Sequence, residues 1–130
     1  MDEPKLHRVE LSPDQLQMLK ASIYVWSGAA HPSALLVRAM GFSDLDDLLL
    51  TGEGLNLKLD RKSPLTPREW TELVMRAEVA FGSDIQGAGT EWSMISGLSD
   101  SSTLRALRDL QKAILPFRMF PGQGSVAYVD

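Results

Sequence analysis

Two arginines three residues apart, Arg105 and Arg108, follow a pair of serines, Ser101 and Ser102, in a stretch with helical apolar spacing. On the first turns of a helix, that set can bind phosphates and read bases. A guanidinium bonds guanine edges in pairs, and a hydroxyl bonds phosphate or either base. Lys112 and Arg118 add two cations suited to phosphates. A second set has the opposite sign. Asp44, Asp46 and Asp47 open another apolar segment. Carboxylates at a helix start are favoured by about 0.3–1 kcal/mol each, and where exposed they offer a face to a basic protein. These three are the candidate partner-binding residues. They lack the alternating oxygen ligands and closing glutamate of a calcium loop, so no metal is assigned to them.

Other chemistry is thin. Residues 82–89, rich in glycine, lack the Lys and Ser/Thr of a phosphate loop and follow no strand. They read as a connector. The only two histidines, His7 and His31, are far apart and have no serine–carboxylate set nearby, and there is no cysteine. Thiol catalysis, disulfides and cysteine zinc sites are thereby excluded. Trp26, Trp70 and Trp92 each fall on an apolar face and are expected in the core. No catalytic residue, cofactor or metal site is assigned, and an enzyme is not expected.

The elements that must position these residues come in a repeated order. Residues 11–16, Leu-Ser-Pro-Asp-Gln-Leu, are matched by residues 65–70, Leu-Thr-Pro-Arg-Glu-Trp. Ser12 and Thr66 suit N-caps, Pro13 and Pro67 the first helical position, and Gln15 and Glu69 complete capping boxes. Helices are expected over 13–27 and 67–81, ended by Gly28 and Gly82. Residues 40–44, Met-Gly-Phe-Ser-Asp, are echoed by residues 96–100, Ser-Gly-Leu-Ser-Asp. A short helix is expected before each glycine, over 33–40 and 91–96, the second capped by Thr90. A longer helix follows each glycine. The first is capped by Ser43 and runs to about residue 50. The second runs over 101–115, with Leu104, Leu107, Leu110 and Ile114 inward.

Three stretches read as extended. Leu55, Leu57 and Leu59 alternate with polar residues, the period of a strand with one buried face. Residues 117–120 and 125–129 flank Pro-Gly-Gln-Gly, a hairpin expectation. Residues 5–10 are a weaker strand. The expected fold is thus mainly α with minor β. Two tandem three-helix units, residues 1–61 and 62–130, are related by internal duplication within one compact domain, with short strands after each unit.

Residues 91–99 resemble the second helix and turn of a helix-turn-helix module, residues 101–110 its recognition helix, and the tail the wing of a winged helix. The resemblance covers about forty residues of common motifs and implies a three-helix fold more strongly than DNA binding. Charge weighs against DNA. The chain of 130 residues holds 13 Lys+Arg and 17 Asp+Glu, a net charge of −4, and residues 66–130 alone hold six against eight. Polyanion binding needs a cationic surplus. The expectation is therefore a non-enzymatic, acidic, α-rich interaction module with a basic protein partner. The alternative is a helix-turn-helix regulator reading DNA through Ser101, Ser102, Arg105, Arg108, Lys112 and Arg118. Residues 1–10 are polar, and no apolar run approaches a membrane span of about 18 residues. A cytoplasmic setting without membrane contact is the expectation.

Overall fold

Each long helix begins with a cap written in its sequence. A computed structural model describes residues 5–120. Among them α1 (Pro13–Tyr24) and α4 (Pro67–Gly82) both start in full capping boxes, Ser12 with Gln15 and Thr66 with Glu69. A 3₁₀ turn, Val25–Ser27, continues α1. Then come α2 (Ala34–Ala39), α3 (Leu45–Asp60), α5 (Trp92–Ser96) and α6 (Asp100–Ile114), with a second 3₁₀ turn at Gly89–Glu91. The fold is mainly helical, and no helix among the described residues is long and apolar enough to cross a membrane.

Helix α1 is the hub. It packs against α3, α4, α5 and α6, while α4 also packs against α6. Met18, Leu19, Ser22, Val25 and Trp26 of the hub are buried, facing an apolar cluster that includes Leu48, Leu55, Trp70, Leu73, Ala77, Trp92 and Leu110. Burying each large apolar side chain is worth roughly 1.5–3 kcal/mol. All three tryptophans lie in this core. Trp92 ties α4, α5 and α6 together: its ring meets Phe81 edge-on at 6.0 Å, and its Nε1–H donates to Thr103 Oγ1 of α6 at 2.8 Å.

Several expectations are corrected. The alternating leucines at 55, 57 and 59 form no strand; they lie in the second half of α3. Leu55 and Leu59 are one helical turn apart and continue the buried face of Leu48 and Gly52, whereas Leu57 faces out. The cap of α3 is Asp44, not Ser43, because its carboxylate accepts from the Asp47 N–H at 2.8 Å. Thr90 does not cap α5; its N–H and hydroxyl both donate to Asp84, each at 2.9 Å. Leu104 is not inward but 45% exposed, and Thr103 takes the buried position beside it. Residues 117–120 form no strand, and residues 125–129 of the expected hairpin lie outside the described residues. Of residues 5–10, only His7 makes a bridge, antiparallel to Leu65.

That bridge straps the amino-terminal arm down. His7 N–H donates to Leu65 O at 2.7 Å, and His7 O accepts from Leu65 N–H and Trp70 Nε1–H, both at 2.9 Å. The His7 ring stacks on Phe117 at 3.9 Å, beyond the end of α6.

Between α5 and α6 the chain turns through Gly97 at φ +75°, a left-handed position that costs other residues roughly 1–2 kcal/mol. Gly97→Val should therefore lower stability by about 2 kcal/mol or more, read as a fall in the urea midpoint, with Gly97→Asn losing less. A valine variant as stable as the parent would show that the turn tolerates any residue.

Candidate functional site

The candidate acidic site sits at the start of α3. Asp44 and Asp47 are committed to building it. Asp44 caps the helix, and the Asp47 carboxylate accepts from Ser43 N–H at 2.9 Å and from the Ser43 and Thr51 hydroxyls at 3.3 and 3.4 Å. Asp46 is exposed and makes no such bond. Along the same outward face of α3 stand Leu50, 67% exposed, Glu53, and Leu57, 54% exposed. Leu45 is exposed beside them. The acidic start of α3 thus merges with an apolar stripe whose far end, Leu57, sequence reading assigned to a strand. Two other charges near the stripe are tied inward. Lys20 of α1 pairs with Asp60, and Lys58 pairs with Glu69 of α4.

The six residues of the DNA-reading alternative all lie on or just after α6, but they do not form one cationic surface. Ser101 and Ser102 bond the Ser99 hydroxyl that caps the helix. With Arg105 they line a cleft of about 470 Å³ whose other walls include Ser12, Asp14, Ala106 and Asp109. Arg105 thus shares its cleft with two carboxylates. Arg108 donates to Gln111 Oε1 at 2.7 Å, and Gln111 in turn donates to Glu78 of α4 at the same distance. Lys112 is exposed on the last turn of α6. The Arg118 guanidinium lies over the Phe120 ring, 5.3 Å from its centroid, within reach of a cation–π contact. Arg105 sits beside acid, and Arg108 and Arg118 are engaged by neighbours, so the field a phosphate backbone would meet is broken up.

A cluster that sequence reading missed lies beneath α3. Arg76, on the inward face of α4, is fully buried. Its Nη2 donates to Leu48 O at 2.7 Å, and its guanidinium lies over the Phe42 ring at 5.0 Å. Nε and Nη1 have no hydrogen-bond partner among the described residues. Burial pushes the guanidinium down to about 10, with the charges of Glu72 and Asp47 pulling the other way. The same burial raises the Glu72 carboxyl against the pull of Arg76 and Arg68. Gly52 makes room for this side chain: a Cβ there would stand 2.9 Å from Arg76 Nη1. The sequence sign of this cluster is a charged residue set within the stripe of Leu73, Ala77 and Ala80. Sealed from solvent, Arg76 has no access to a substrate. Its role is to hold α3 against α4. Among the described residues no group of His, Asp and Glu is placed to hold a metal ion.

Comparison of the chain with protein-family models, with curated proteins and with solved structures finds no match.

Two predictions follow from this geometry. Methionine can fill much of the same space without burying the unpartnered N–H donors at Nε and Nη1. Arg76→Met should therefore keep stability within about 1 kcal/mol. Gly52→Ala should cost about 1–3 kcal/mol in the parent and much less in the Arg76→Met background, measured as a double-mutant cycle in urea. Equal costs in both backgrounds would refute the contact. The second concerns Glu69. Burial would raise its carboxyl, but the Lys58 hydrogen bond and charge and the Thr66 N–H hold it below the ordinary glutamate value. A carboxyl lowered on folding adds stability above its unfolded value and loses it as pH falls through the folded one. Glu69→Gln keeps the cap but loses the charge. It should flatten the acid limb of stability below about pH 5 by under about 1 kcal/mol, since Lys58 is half exposed.

Proposed function

We propose that the chain is a non-enzymatic, acidic, helical interaction module that docks a protein partner through the outer face of α3. The observation that carries this reading is the coincidence of exposed Leu50 and Leu57 with the uncommitted carboxylates of Asp46 and Glu53 on that one face. Exposed leucines beside acid favour a partner with an apolar strip edged by Lys or Arg, since buried apolar area supplies affinity and opposite charge supplies orientation. Of the acidic trio, Asp46 touches the partner, while Asp44 and Asp47 hold the start of α3 in place. Internal duplication belongs to the same reading. A capped long helix, a short helix, a glycine turn and a second long helix occur in that order twice, over 1–61 and 62–130.

A helix-turn-helix DNA reader is the second reading. What favours it is the turn itself: α5, the left-handed Gly97, the Ser99 cap and then α6, pinned by the Trp92–Thr103 bond. The mixed charge around Arg105 and Arg108 weighs against it.

Titration with short duplex DNA at low salt, followed by fluorescence anisotropy, separates the two. No binding is expected at micromolar protein. Titration with a lysine- and leucine-rich amphipathic helical peptide should shift backbone amide resonances of Asp46, Leu50, Glu53 and Leu57, an effect lost in Asp46→Lys. Salt-sensitive DNA binding that disappears in the Arg105→Ala, Arg108→Ala double variant would establish the second reading in place of the first.

A further inference from the structure

The outer face of α3 has an order that reads the same in charge-complementary fashion from either end. Its residues are Asp46, Leu50, Glu53, Gly54, Leu57 and Arg61. Counted from the midpoint between residues 53 and 54, Leu50 mirrors Leu57 and Asp46 mirrors Arg61, an acid against a base. At 3.6 residues per turn these positions fall within a wedge of about 100°, opposite the buried Leu48, Gly52, Leu55 and Leu59. Arg61 keeps helical backbone angles as the C-cap, so it continues the stripe. Neither the Asp46 carboxylate nor the Arg61 guanidinium has a hydrogen-bond or ion-pair partner within the described residues, and both residues are exposed.

We infer that this face pairs with the same face of a second copy of the chain, the two α3 helices lying antiparallel about a twofold axis between residues 53 and 54. The inference rests on the reading of α3 as a docking face and names the occupant. A twofold pairing requires a self-complementary patch, in which each contact occurs twice. Here Leu50 of each copy meets Leu57 of the other, and Asp46 of each meets Arg61 of the other. The antiparallel arrangement also sets each helix N-terminus beside the other's C-terminus, so the backbone dipoles attract.

Gly54 supports the crossing. A mid-helix glycine weakens a helix relative to alanine, so it calls for a reason. At Gly52 the reason is internal, because a side chain would meet Arg76. At Gly54, apart from α3's own backbone, no described residue comes within 4 Å of where a Cβ would be. A bare backbone at the centre of an exposed leucine stripe suits the close approach of a second helix. Neighbouring charges do not compete, since Asp60 and Lys58 are held by Lys20 and Glu69. One contact opposes the pairing. The twofold brings Glu53 beside Glu53 of the second copy, which keeps the dimer weak and reversible.

Sedimentation equilibrium of the full chain over the micromolar range tests this. The parent should show a concentration-dependent dimer. Leu57→Lys should be monomeric, and Glu53→Gln should tighten the dimer. Asp46→Arg, which sets arginine against arginine at both ends, should weaken association at least about tenfold. The double exchange Asp46→Arg, Arg61→Asp should restore it, because the pair is inverted rather than lost. All four positions are exposed, and circular dichroism confirms that each variant keeps its helices. A chain that stays monomeric throughout, a dimer indifferent to Leu57→Lys, or a double exchange that fails to restore association overturns the inference. A monomer whose α3 amides still respond to the amphipathic peptide separates this failure from that of the docking reading, which would then stand with a different occupant.

Discussion

The structure depends on α1 lying against α4 with no room to spare. The hub buries Met18, Leu19 and Ser22 completely, and α4 buries Leu73, Ala77 and Ala80 to the same degree. Small residues at such a crossing let backbones come close, and the buried Ser22 hydroxyl costs little because it donates to Leu19 O at 2.8 Å. With that pair fixed, α6 fits beside both helices and α3 closes the other side of α1. The outer side of α3 and the outer side of α6 are left facing solvent.

Much of this was legible in the sequence, for a local reason. A cap is decided by a few neighbouring residues, so Ser12 and Thr66 could be read directly and the starts of α1 and α4 were placed closely. The inward tryptophans were legible because helical spacing alone sets their side of the helix. The second half of α3 was not. Leucines at every second position satisfy the strand period, and two of the three also satisfy the helical one. Glycines at 52 and 54 also disfavour a helix. What overrides them is tertiary: Leu55 and Leu59 find the core, and Gly52 is tolerated because a guanidinium fills the space its side chain would take. No window of sequence contains that information, since Arg76 lies on another helix.

The candidate site followed the same pattern. Three aspartates at a helix start were visible as residue types, but the cap fell on Asp44 instead of Ser43. That shift of one position turns Asp44 and Asp47 inward to the backbone and leaves Asp46 for solvent. The exposed leucines that give the face its character became visible only with α3 recognised as one continuous helix. On α6 the cations were read correctly as residues, yet their neighbours across the helix packing, Asp14 and Glu78, belong to segments remote in sequence.

The strap at His7 has a consequence for how the molecule comes together and apart. Its ring rests on Phe117, so that single stack closes a loop spanning nearly the whole described chain. Long loops are costly to close before other contacts exist. The arm is tied to the helices by its bridge to Leu65, the Trp70 bond and this one stack. Its release uncovers the Trp70 indole N–H, which otherwise donates to His7 O. The surroundings of that indole thus report whether the arm is docked.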